Sequence, residues 1–390
     1  MKTQYITPEE FKDIAPIDDC DFKQRMAQLV RESGFEHAIK YVMPDVDYPK
    51  FVAELCEINS KEEFQQKTVA PFLEMLAFKT TTGLSISGVE NVDKNKNYTY
   101  ITNHRDIVLD ASFLNMLLVK NGINTTEIAI GNNLLVYEWI SDLVKLNKSF
   151  IVKRNLRMIK ALEAAKQLSG YINYAINEKH ESVWIAQREG RCKDSNDKTQ
   201  ESLIKMLGLA GGSSLLENVK NLNLLPVAIS YEYDPNDYLK AREFLMKRND
   251  PDYKKSQRDD LFSMETGLLQ FKGHVHFTIG QPINPTLDNL SCGADKAEVV
   301  KYICKTIDET IYKGYRIYPI NYIALDLLEN IQRFQDKYTL DEVVAFEKYI
   351  TTQLAKVEDV PNLSDDDMQY MRQMMLTMYA NPLKNQLATI

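Results

Sequence analysis

The chain has 390 residues, of which 44% are hydrophobic and 26% charged, which supplies enough apolar material for a large core and argues against disorder. Its formal net charge of −8 disfavours nucleic-acid binding, because a polyanion would be repelled unless a strong local basic patch opposed the overall charge. The five cysteines have no CxxC spacing, so they fit reduced thiols in a cytoplasmic protein better than a disulfide framework or a zinc site.

The first part of the chain, residues 1–79, shows apolar residues at helical spacing. It opens, from Thr7 to Glu10, with a pattern that is typical of a capped helix start and not of a signal peptide. The longest apolar stretch, residues 107–119, is interrupted by Asp110 and is shorter than the roughly 18–20 residues that a spanning helix needs. We therefore predict a small N-terminal helical domain and no membrane-spanning segment.

Short β-rich segments alternate with helical ones over residues 80–285. The predicted strands are Leu84–Gly88, Tyr98–Asn103, Glu127–Ile130, Ser149–Lys153, Ser182–Ala186, Leu224–Tyr231 and Val275–Ile279. The predicted helices are Ile107–Lys120, Leu134–Leu146, Leu156–Glu178, Thr199–Leu207 and Leu239–Lys247. Strands separated by helices of this length predict an α/β domain with a central, largely parallel sheet flanked by helices. The charged segment Lys247–Asp260 is predicted to be a loop.

Residues 286–390 show no strand pattern and are predicted to form a helical C-terminal extension. Helical periodicity covers Glu298–Tyr312, Pro319–Phe334, Leu340–Leu354 and Asp365–Met378. The last of these helices carries Met371, Met374, Met375 and Met378, which favour packing between helices, with a lipid-facing patch as the alternative.

The stretch Tyr98–Asp110 changes at Asn103 from alternating strand residues to turn and helix-cap residues. His104 is therefore predicted at a strand-to-helix corner at the edge of the sheet, where a ligand can reach its ring. A carboxylate one turn later could orient that ring for acid–base chemistry. Taken alone, however, His104 is also consistent with an ordinary hydrogen-bonding residue at the surface.

The predicted strand Ser149–Lys153 also ends in positive charge, and Arg154 follows it directly. It lies in a run of six cations without an acid, from Lys145 to Lys160. Such a run can attract a phosphate group or an anionic membrane surface, whereas a solvated helix face explains most of its lysines. Arg154 differs from the lysines because it stands at a strand end, as His104 does.

Charged residues again follow the predicted strand Ser182–Ala186. Gly190 lets the backbone turn sharply beside a ligand, Arg191 can grip phosphate with a two-pronged fork, and Glu189 can hold that guanidinium. The predicted strand Leu224–Tyr231, which contains Pro226, is typical of a core strand when it is considered alone.

Taken in this order, the four strand ends resemble the glycerolipid acyltransferase family, which includes the glycerol-3-phosphate and lysophosphatidate acyltransferases. The matching blocks are Asn103-His104-Arg105 followed by an aspartate, Phe150–Arg154, Glu189-Gly190-Arg191 and Pro226–Glu232. The resemblance covers about residues 84–282, and four blocks in order are far more specific than any one of them.

One spacing departs from the family pattern, which places four residues between the histidine and the aspartate. That pattern would put the aspartate at position 109, which is Leu109. Here the downstream carboxylate is Asp110, with five residues between it and His104, and Asp106 stands where the family usually has a serine. Either a one-residue insertion at the helix start brings Asp110 into register, or Asp106 has taken over its role. We favour Asp110.

The resemblance implies transfer of a fatty acyl group from a thioester, acyl-CoA or acyl carrier protein, to a hydroxyl of a glycerol-phosphate or lyso-lipid acceptor in phospholipid synthesis. His104 would act as general base, and Asp110 or Asp106 would orient it. The substrates would be bound by Arg105, Lys153, Arg154, Glu189, Gly190, Arg191 and Pro226. No metal or redox cofactor is implied.

Further expectations concern the surroundings of the site. Helix Leu134–Leu146, with Tyr137 and Trp139, could rest on an anionic bilayer as a peripheral anchor or simply pack on the sheet. The protein is expected in the cytoplasm, with a peripheral position on the inner face of the cell membrane as the alternative. The competing interpretation is a non-catalytic lipid-binding protein on the same fold, and hydrolysis is disfavoured because no GxSxG motif is present.

Overall fold

The computed structural model describes residues 6–290, 295–357 and 360–390. The strands found there are β1 Gly83–Ser87, β2 Thr99–Thr102, β3 Glu127–Gly131, β4 Ser149–Val152, β5 Val183–Ala186, β6 Leu224–Tyr231 and β7 His274–Ile279. They form one sheet in the order β1-β7-β6-β2-β5-β3-β4, in which every neighbouring pair is parallel except β6 with β7. The predicted α/β fold with a largely parallel sheet is confirmed, and each predicted strand is present.

Helices flank this sheet and continue beyond it in both directions along the chain. The N-terminal helices are α1 Phe22–Leu29, α2 Ser33–Val42, α3 Tyr48–Cys56, α4 Lys61–Phe64 and α5 Ala70–Thr80. Those between strands are α6 Leu109–Lys120, α7 Glu138–Leu146, α8 Met158–Asn177, α9 Glu201–Leu207, α10 Leu215–Lys220, α11 Asp237–Asn249 and α12 Gln257–Leu269. The C-terminal helices are α13 Asn284–Leu287, α14 Lys296–Gly314, α15 Pro319–Glu329, α16 Leu340–Leu354 and α17 Asp365–Leu387. Among the described residues, no helix combines the length and the apolar character that crossing a bilayer requires.

Both faces of the sheet are covered by helices, and alternate residues of its strands point to opposite sides. Ile101 and Ile185 pack with residues of α8, α9 and α14, whereas Tyr100, Trp184 and Leu225 pack with residues of α5 and α6. Burial on both faces explains why the inner strands are almost uniformly apolar in sequence.

Two local predictions are wrong. The segment predicted as a loop, Lys247–Asp260, contains the start of α12, where Ser256 and Asp259 form a reciprocal capping box. At the other end of the chain the expected capped helix is only a 3₁₀ turn, Glu9–Phe11, because the hydroxyl of Thr7 donates to Asp18 (2.7 Å) instead of capping.

Helices α15, α16 and α17 form a core of their own with α11. Met371 and Met375 are fully buried in it and Met378 is almost so, which supports packing between helices and leaves these side chains unable to contact lipid. Of the cysteines, Cys292 lies outside the described residues, and the other four are free thiols.

The strand register decides where the functional residues lie. The end of β2 is level with the end of β5, since Thr102 pairs with Ala186, and it lies beside Val227 in the middle of β6. Farther along the sheet, Gly131 at the end of β3 pairs with Val152 at the end of β4. The segments after β2, β4 and β5 therefore leave the sheet at one edge, where α/β folds bind their ligands.

Candidate active site

The loop after β2 is fixed on both sides by neighbouring strands. The side-chain amide of Asn103 donates to the carbonyl of Ile229 (2.9 Å) and accepts from its N–H (2.7 Å), which continues the β2–β6 ladder by one residue. On the other side, the N–H of Cys192 donates to the carbonyl of His104 (3.2 Å). The backbone of His104 is thus held at the junction of three strands.

The ring of His104 is oriented by Asp110, which lies in the first turn of α6. The two side chains meet with Nδ1 and Oδ2 2.8 Å apart, and because this oxygen already accepts from two backbone N–H groups, we assign Nδ1 as the donor. The same oxygen accepts from the N–H groups of Arg105 (2.6 Å) and Asp106 (3.0 Å). Asp110 is 1% exposed and His104 13%, so Nε2 is the ring nitrogen left for a ligand.

Asp106 occupies a different position from Asp110. Its Oδ1 accepts from the N–H groups of Val108 (2.9 Å) and Leu109 (2.7 Å), so it caps the start of α6. Gly267 of α12 makes room for this carboxylate, since a Cβ there would lie 1.9 Å from its Oδ2. Burial, and then the charge of Asp110, raise the pKa of Asp106. Of the two candidate carboxylates, Asp110 is the one in contact with His104.

A single cavity of about 1600 Å³ runs from this edge of the sheet to the N-terminal helices. Its polar end is lined by His104, Arg154, Arg188, Arg191, Lys193 and Lys240. Its other end is apolar and is lined by Phe35, Phe51, Leu55, Phe64, Phe72 and Met75. The volume exceeds the roughly 300–1,000 Å³ of pockets for drug-sized ligands, so it has room for a long substrate.

Three guanidinium groups reach the polar end, and each has a buried nitrogen without a hydrogen-bond partner among the described residues. These nitrogens are Nε of Arg154, Nε of Arg188 and Nη1 of Arg191. The side chain of Arg154 crosses the end of β3 over Gly131, where a Cβ would lie 2.8 Å from its Cζ. The nearest acid to it is Glu189, 3.7 Å from its Nε and 64% exposed. Buried, unfilled donors of this kind form a site for an anion.

Arg188 was not among the residues predicted for the site, although the sequence contained the signal for it. It stands two residues after the end of β5, the same kind of strand-end position that drew attention to His104 and Arg154. Its Nη1 donates to the sulfur of Cys192 (3.4 Å), which aims the guanidinium toward the loop of His104.

Two residues predicted to bind substrate do not line the cavity. Arg105 is buried behind it and donates to both carboxylate oxygens of Asp197, one at 2.7 Å, and Asp197 also accepts from the hydroxyl of Tyr315. Burial alone would lower the pKa of Arg105, but Asp197 outweighs it and holds that pKa well above its usual value. Pro226 is buried within β6 opposite Ile101. Both side chains are buried away from the cavity lining, and the substrate-binding roles predicted for Arg105 and Pro226 stay predictions.

The predicted basic cluster is divided by the fold. Lys148 pairs with Glu181 (3.1 Å), the ammonium of Lys145 donates to the carbonyl of Asp13, and Lys153 pairs with the carboxylate of Asp13. Lys153 still lines the cavity, but its charge is already partnered. Half of the six cations in the cluster are thus occupied within the protein.

Helix α7 packs on its neighbours, while Tyr137 immediately before it is 53% exposed. It contacts α1, α2 and β4, and Trp139 lies edge-on to Phe35 with ring centroids 6.3 Å apart. The alternative prediction, a helix packed on its neighbours, is the observed arrangement.

Comparison with known proteins decides what this site belongs to. Residues 83–230 match the family model described as Acyltransferase, a segment that begins at β1 and ends within β6. These residues form a domain of the glycerolipid acyltransferase family. The resemblance inferred from the four blocks is confirmed. The first three blocks lie wholly inside the matched segment, and the fourth lies inside it as far as Ser230. No curated protein matches the chain.

This domain implies an acyltransferase enzyme of glycerolipid synthesis, with an acyl donor and an acceptor as its substrates. His104, Asp110, Arg154, Glu189, Gly190 and Arg191 all fall within it. Their individual catalytic and binding roles stay predictions.

Proposed function

We propose that the protein transfers a fatty acyl group from a thioester, acyl-CoA or acyl carrier protein, to a hydroxyl of a glycerol-phosphate-type acceptor in phospholipid synthesis. The observation that carries this proposal is the pairing, in one cavity, of an oriented imidazole with guanidinium nitrogens that have no partner of their own. A phosphate would fill those donors and bring a neighbouring hydroxyl to the imidazole.

The chemistry begins with a proton transfer. An alcohol attacks a thioester poorly until a base removes its proton, and neutral imidazole has a suitable pKa near pH 7. In our proposal Nε2 of His104 takes that proton as the oxygen attacks the thioester carbonyl. The carbon–sulfur bond then breaks, and the imidazolium returns the proton to the departing thiolate. Asp110 holds the required tautomer and stabilises the imidazolium, as in a serine hydrolase, while the substrate supplies the hydroxyl.

The acceptor's phosphate would lie among Arg154, Arg188 and Arg191. Guanidinium groups bind phosphate through paired, charge-assisted hydrogen bonds that are about twice as strong as neutral ones. The exposed carboxylate of Glu189 beside Arg154 would limit how far that side chain moves when the phosphate is absent. Gly190 has a φ of +70°, a conformation that other residues rarely adopt, and it sets the turn that carries Arg191.

The apolar end of the cavity would take the fatty acyl chain. Phe51, Leu55, Phe64 and Phe72 supply an apolar lining from the N-terminal helices, and each methylene buried there contributes about 0.8 kcal/mol to binding. This arrangement gives the N-terminal helices a direct part in donor binding.

Four free cysteines in the described residues support a reducing compartment for this reaction. We therefore propose a cytoplasmic enzyme. Because a phospholipid product would partition into a bilayer, we propose that the enzyme works close to the inner face of the cell membrane.

A thiol-release assay with acyl-CoA and acyl carrier protein donors, combined with mass spectrometry of the lipid product, tests the proposal. An extract that contains many lyso-lipid and glycerol-phosphate acceptors serves as the acceptor pool. We expect a phosphate-bearing, newly acylated product from the wild type and none from His104→Ala. The matched control is His180→Ala, which removes an exposed histidine outside the cavity and should leave turnover unchanged.

The competing function, a lipid-binding protein without turnover, has a distinct outcome in the same experiment. It would give lipid bound in the cavity, no thiol release with any donor, and no difference between the wild type and His104→Ala.

A further inference from the structure

The start of α8 carries apolar side chains that the rest of the protein leaves uncovered. Met158, Ile159 and Leu162 are 90%, 74% and 52% exposed, although they follow one another within two helical turns. Scattered exposed apolar residues are ordinary, but a contiguous group of them marks a surface that another apolar phase covers. We call residues 156–162 the rim patch.

The rim patch borders the mouth of the cavity. Leu156 and Ala161 line the cavity itself, whereas Ile159 and Leu162 point away from it. Helix α8 follows β4, which lies three positions from β2 in the sheet, so the ends of these two strands are about 15 Å apart. A surface that covered the rim patch would therefore be within reach of the reacting groups.

Positive charge accompanies these apolar side chains. Residues 157–166 contain Arg157, Lys160 and Lys166 and a single acid, Glu163, in a chain whose net charge is −8. Arg157 and Lys160 are exposed and, unlike the paired lysines of the same cluster, form no ion pair within the described part of the chain. Apolar side chains flanked by free cations match the interface of an anionic bilayer, where the former enter the acyl region and the latter meet lipid phosphates.

We propose that the rim patch docks the protein on a membrane of anionic phospholipid, with Ile159 and Leu162 inserted below the headgroups and Arg157 and Lys160 at their phosphates. Docking in this orientation opens the cavity toward the bilayer, so that an acylated lipid can pass between them without crossing water. This inference names a membrane partner for the proposed function, and only the passage of an acylated lipid from the cavity into the bilayer rests on that function. Membrane binding itself requires no turnover.

Vesicle flotation of the full-length protein tests the proposal. We expect binding to vesicles that contain phosphatidylglycerol and much weaker binding to pure phosphatidylcholine vesicles, with salt weakening the former. The double variant Ile159→Ser/Leu162→Ser should lose about ten-fold or more in partitioning, because it removes the inserted apolar area. Arg157→Gln/Lys160→Gln should lose a similar factor on anionic vesicles alone, since each cation near such a surface contributes about five-fold.

The chain offers a matched control at the start of another helix. Leu340 and Val344 of α16 are 82% and 68% exposed, but their neighbours in the first turn are the acids Asp341 and Glu342. Leu340→Ser/Val344→Ser removes a comparable apolar pair with the opposite charge nearby, and it should leave vesicle binding unchanged.

Several results would overturn the proposal. The wild type would bind both vesicle types equally, or both rim variants would bind as well as the wild type, or the α16 control variant would lose as much vesicle binding as the rim variants. A rim variant that bound vesicles normally but no longer bound acyl carrier protein would assign the surface to that acidic protein instead. Turnover of a water-soluble short-chain thioester should be the same in the rim variants and the wild type, so failed docking and failed catalysis remain distinguishable.

Discussion

The fold treats two groups of cations around the loop of His104 differently. Arg105, behind the cavity, is bound by Asp197, and Lys240, at its lining, is bound by Asp234, so both charges are neutralised within the protein. In the cavity, Arg188 and Arg191 keep buried nitrogens without a partner among the described residues. An unfilled buried donor costs about 1–3 kcal/mol, a cost that a bound phosphate would offset. The presence or absence of a protein partner therefore separates scaffold cations from ligand-binding ones.

The largest expected effect concerns the carboxylates that flank the site. Asp110→Asn removes the acceptor that holds Nδ1–H of His104, so we expect kcat to fall by about 10³–10⁴-fold. Asp106→Asn is the matched control, because asparagine also caps helices well and the carboxylate does not contact the ring. It should retain kcat within several-fold. Steady-state kinetics that showed equal losses in both variants would transfer the orienting role to Asp106.

The next largest effect should come from breaking the ion pair between Arg105 and Asp197. Arg105→Met leaves the buried carboxylate of Asp197 without its partner, and breaking such a pair typically costs about 3–5 kcal/mol of unfolding free energy. Urea denaturation measures this loss. A variant with unchanged stability would show that the pair is not part of the scaffold.

Lys272 is a buried cation that forms no hydrogen bond to a carboxylate among the described residues. Its ammonium donates instead to the backbone carbonyls of Leu268 (3.2 Å) and Gln270 (2.6 Å). Burial lowers its pKa from 10.5 to about 8. Between these two values the unfolded chain binds the proton and the folded chain does not, so stability should rise with pH there. The gain relative to Lys272→Met is on the order of 3 kcal/mol.

Urea denaturation of both proteins between pH 7 and pH 10.5 measures this difference. Parallel stability profiles for the wild type and Lys272→Met would contradict the lowered pKa of Lys272.

Substitution of the cavity arginines should have the smallest effect on the free energy of unfolding. Arg191→Met should leave unfolding free energy unchanged or slightly higher, because no protein partner is lost. The Km for a phosphate-bearing acceptor should rise about 10–100-fold, because one or two charge-assisted hydrogen bonds to the phosphate are lost. Arg188→Met should raise Km in the same way, although it also loses the weak hydrogen bond to the sulfur of Cys192. Lower stability combined with an unchanged Km would place either residue with Arg105 in the scaffold.

Much of this organisation could be predicted from the sequence. The strands were recognisable because each is a short apolar run bounded by turn residues, and their parallel arrangement places the strand ends together. Helix α12 was missed because the charges before it outweighed a readable start signal, Ser256 with Asp259 three residues later.

The sequence could not distinguish Arg105 from Arg191. Both are arginines next to a family motif, and only the fold brings Asp197 to one of them across 92 positions of the chain. The choice between Asp106 and Asp110 depended in the same way on where α6 begins. The start of α6 is set by the hydrogen bonds that Asp106 accepts from the N–H groups of Val108 and Leu109, which the local sequence pattern does not specify.

The central claim is that the unfilled guanidinium groups recognise a phosphate on the acceptor while His104 activates its hydroxyl. The most direct measurement compares kcat/KM for glycerol 3-phosphate, or a lyso-lipid phosphate, with that for the matching alcohol without phosphate, in the wild type and in Arg191→Met. We predict that the wild type prefers the phosphate-bearing acceptor by about 100-fold or more and that the preference falls at least about ten-fold in the variant. Equal rates with both acceptors in the wild type, or an unchanged preference in Arg191→Met, would contradict the account.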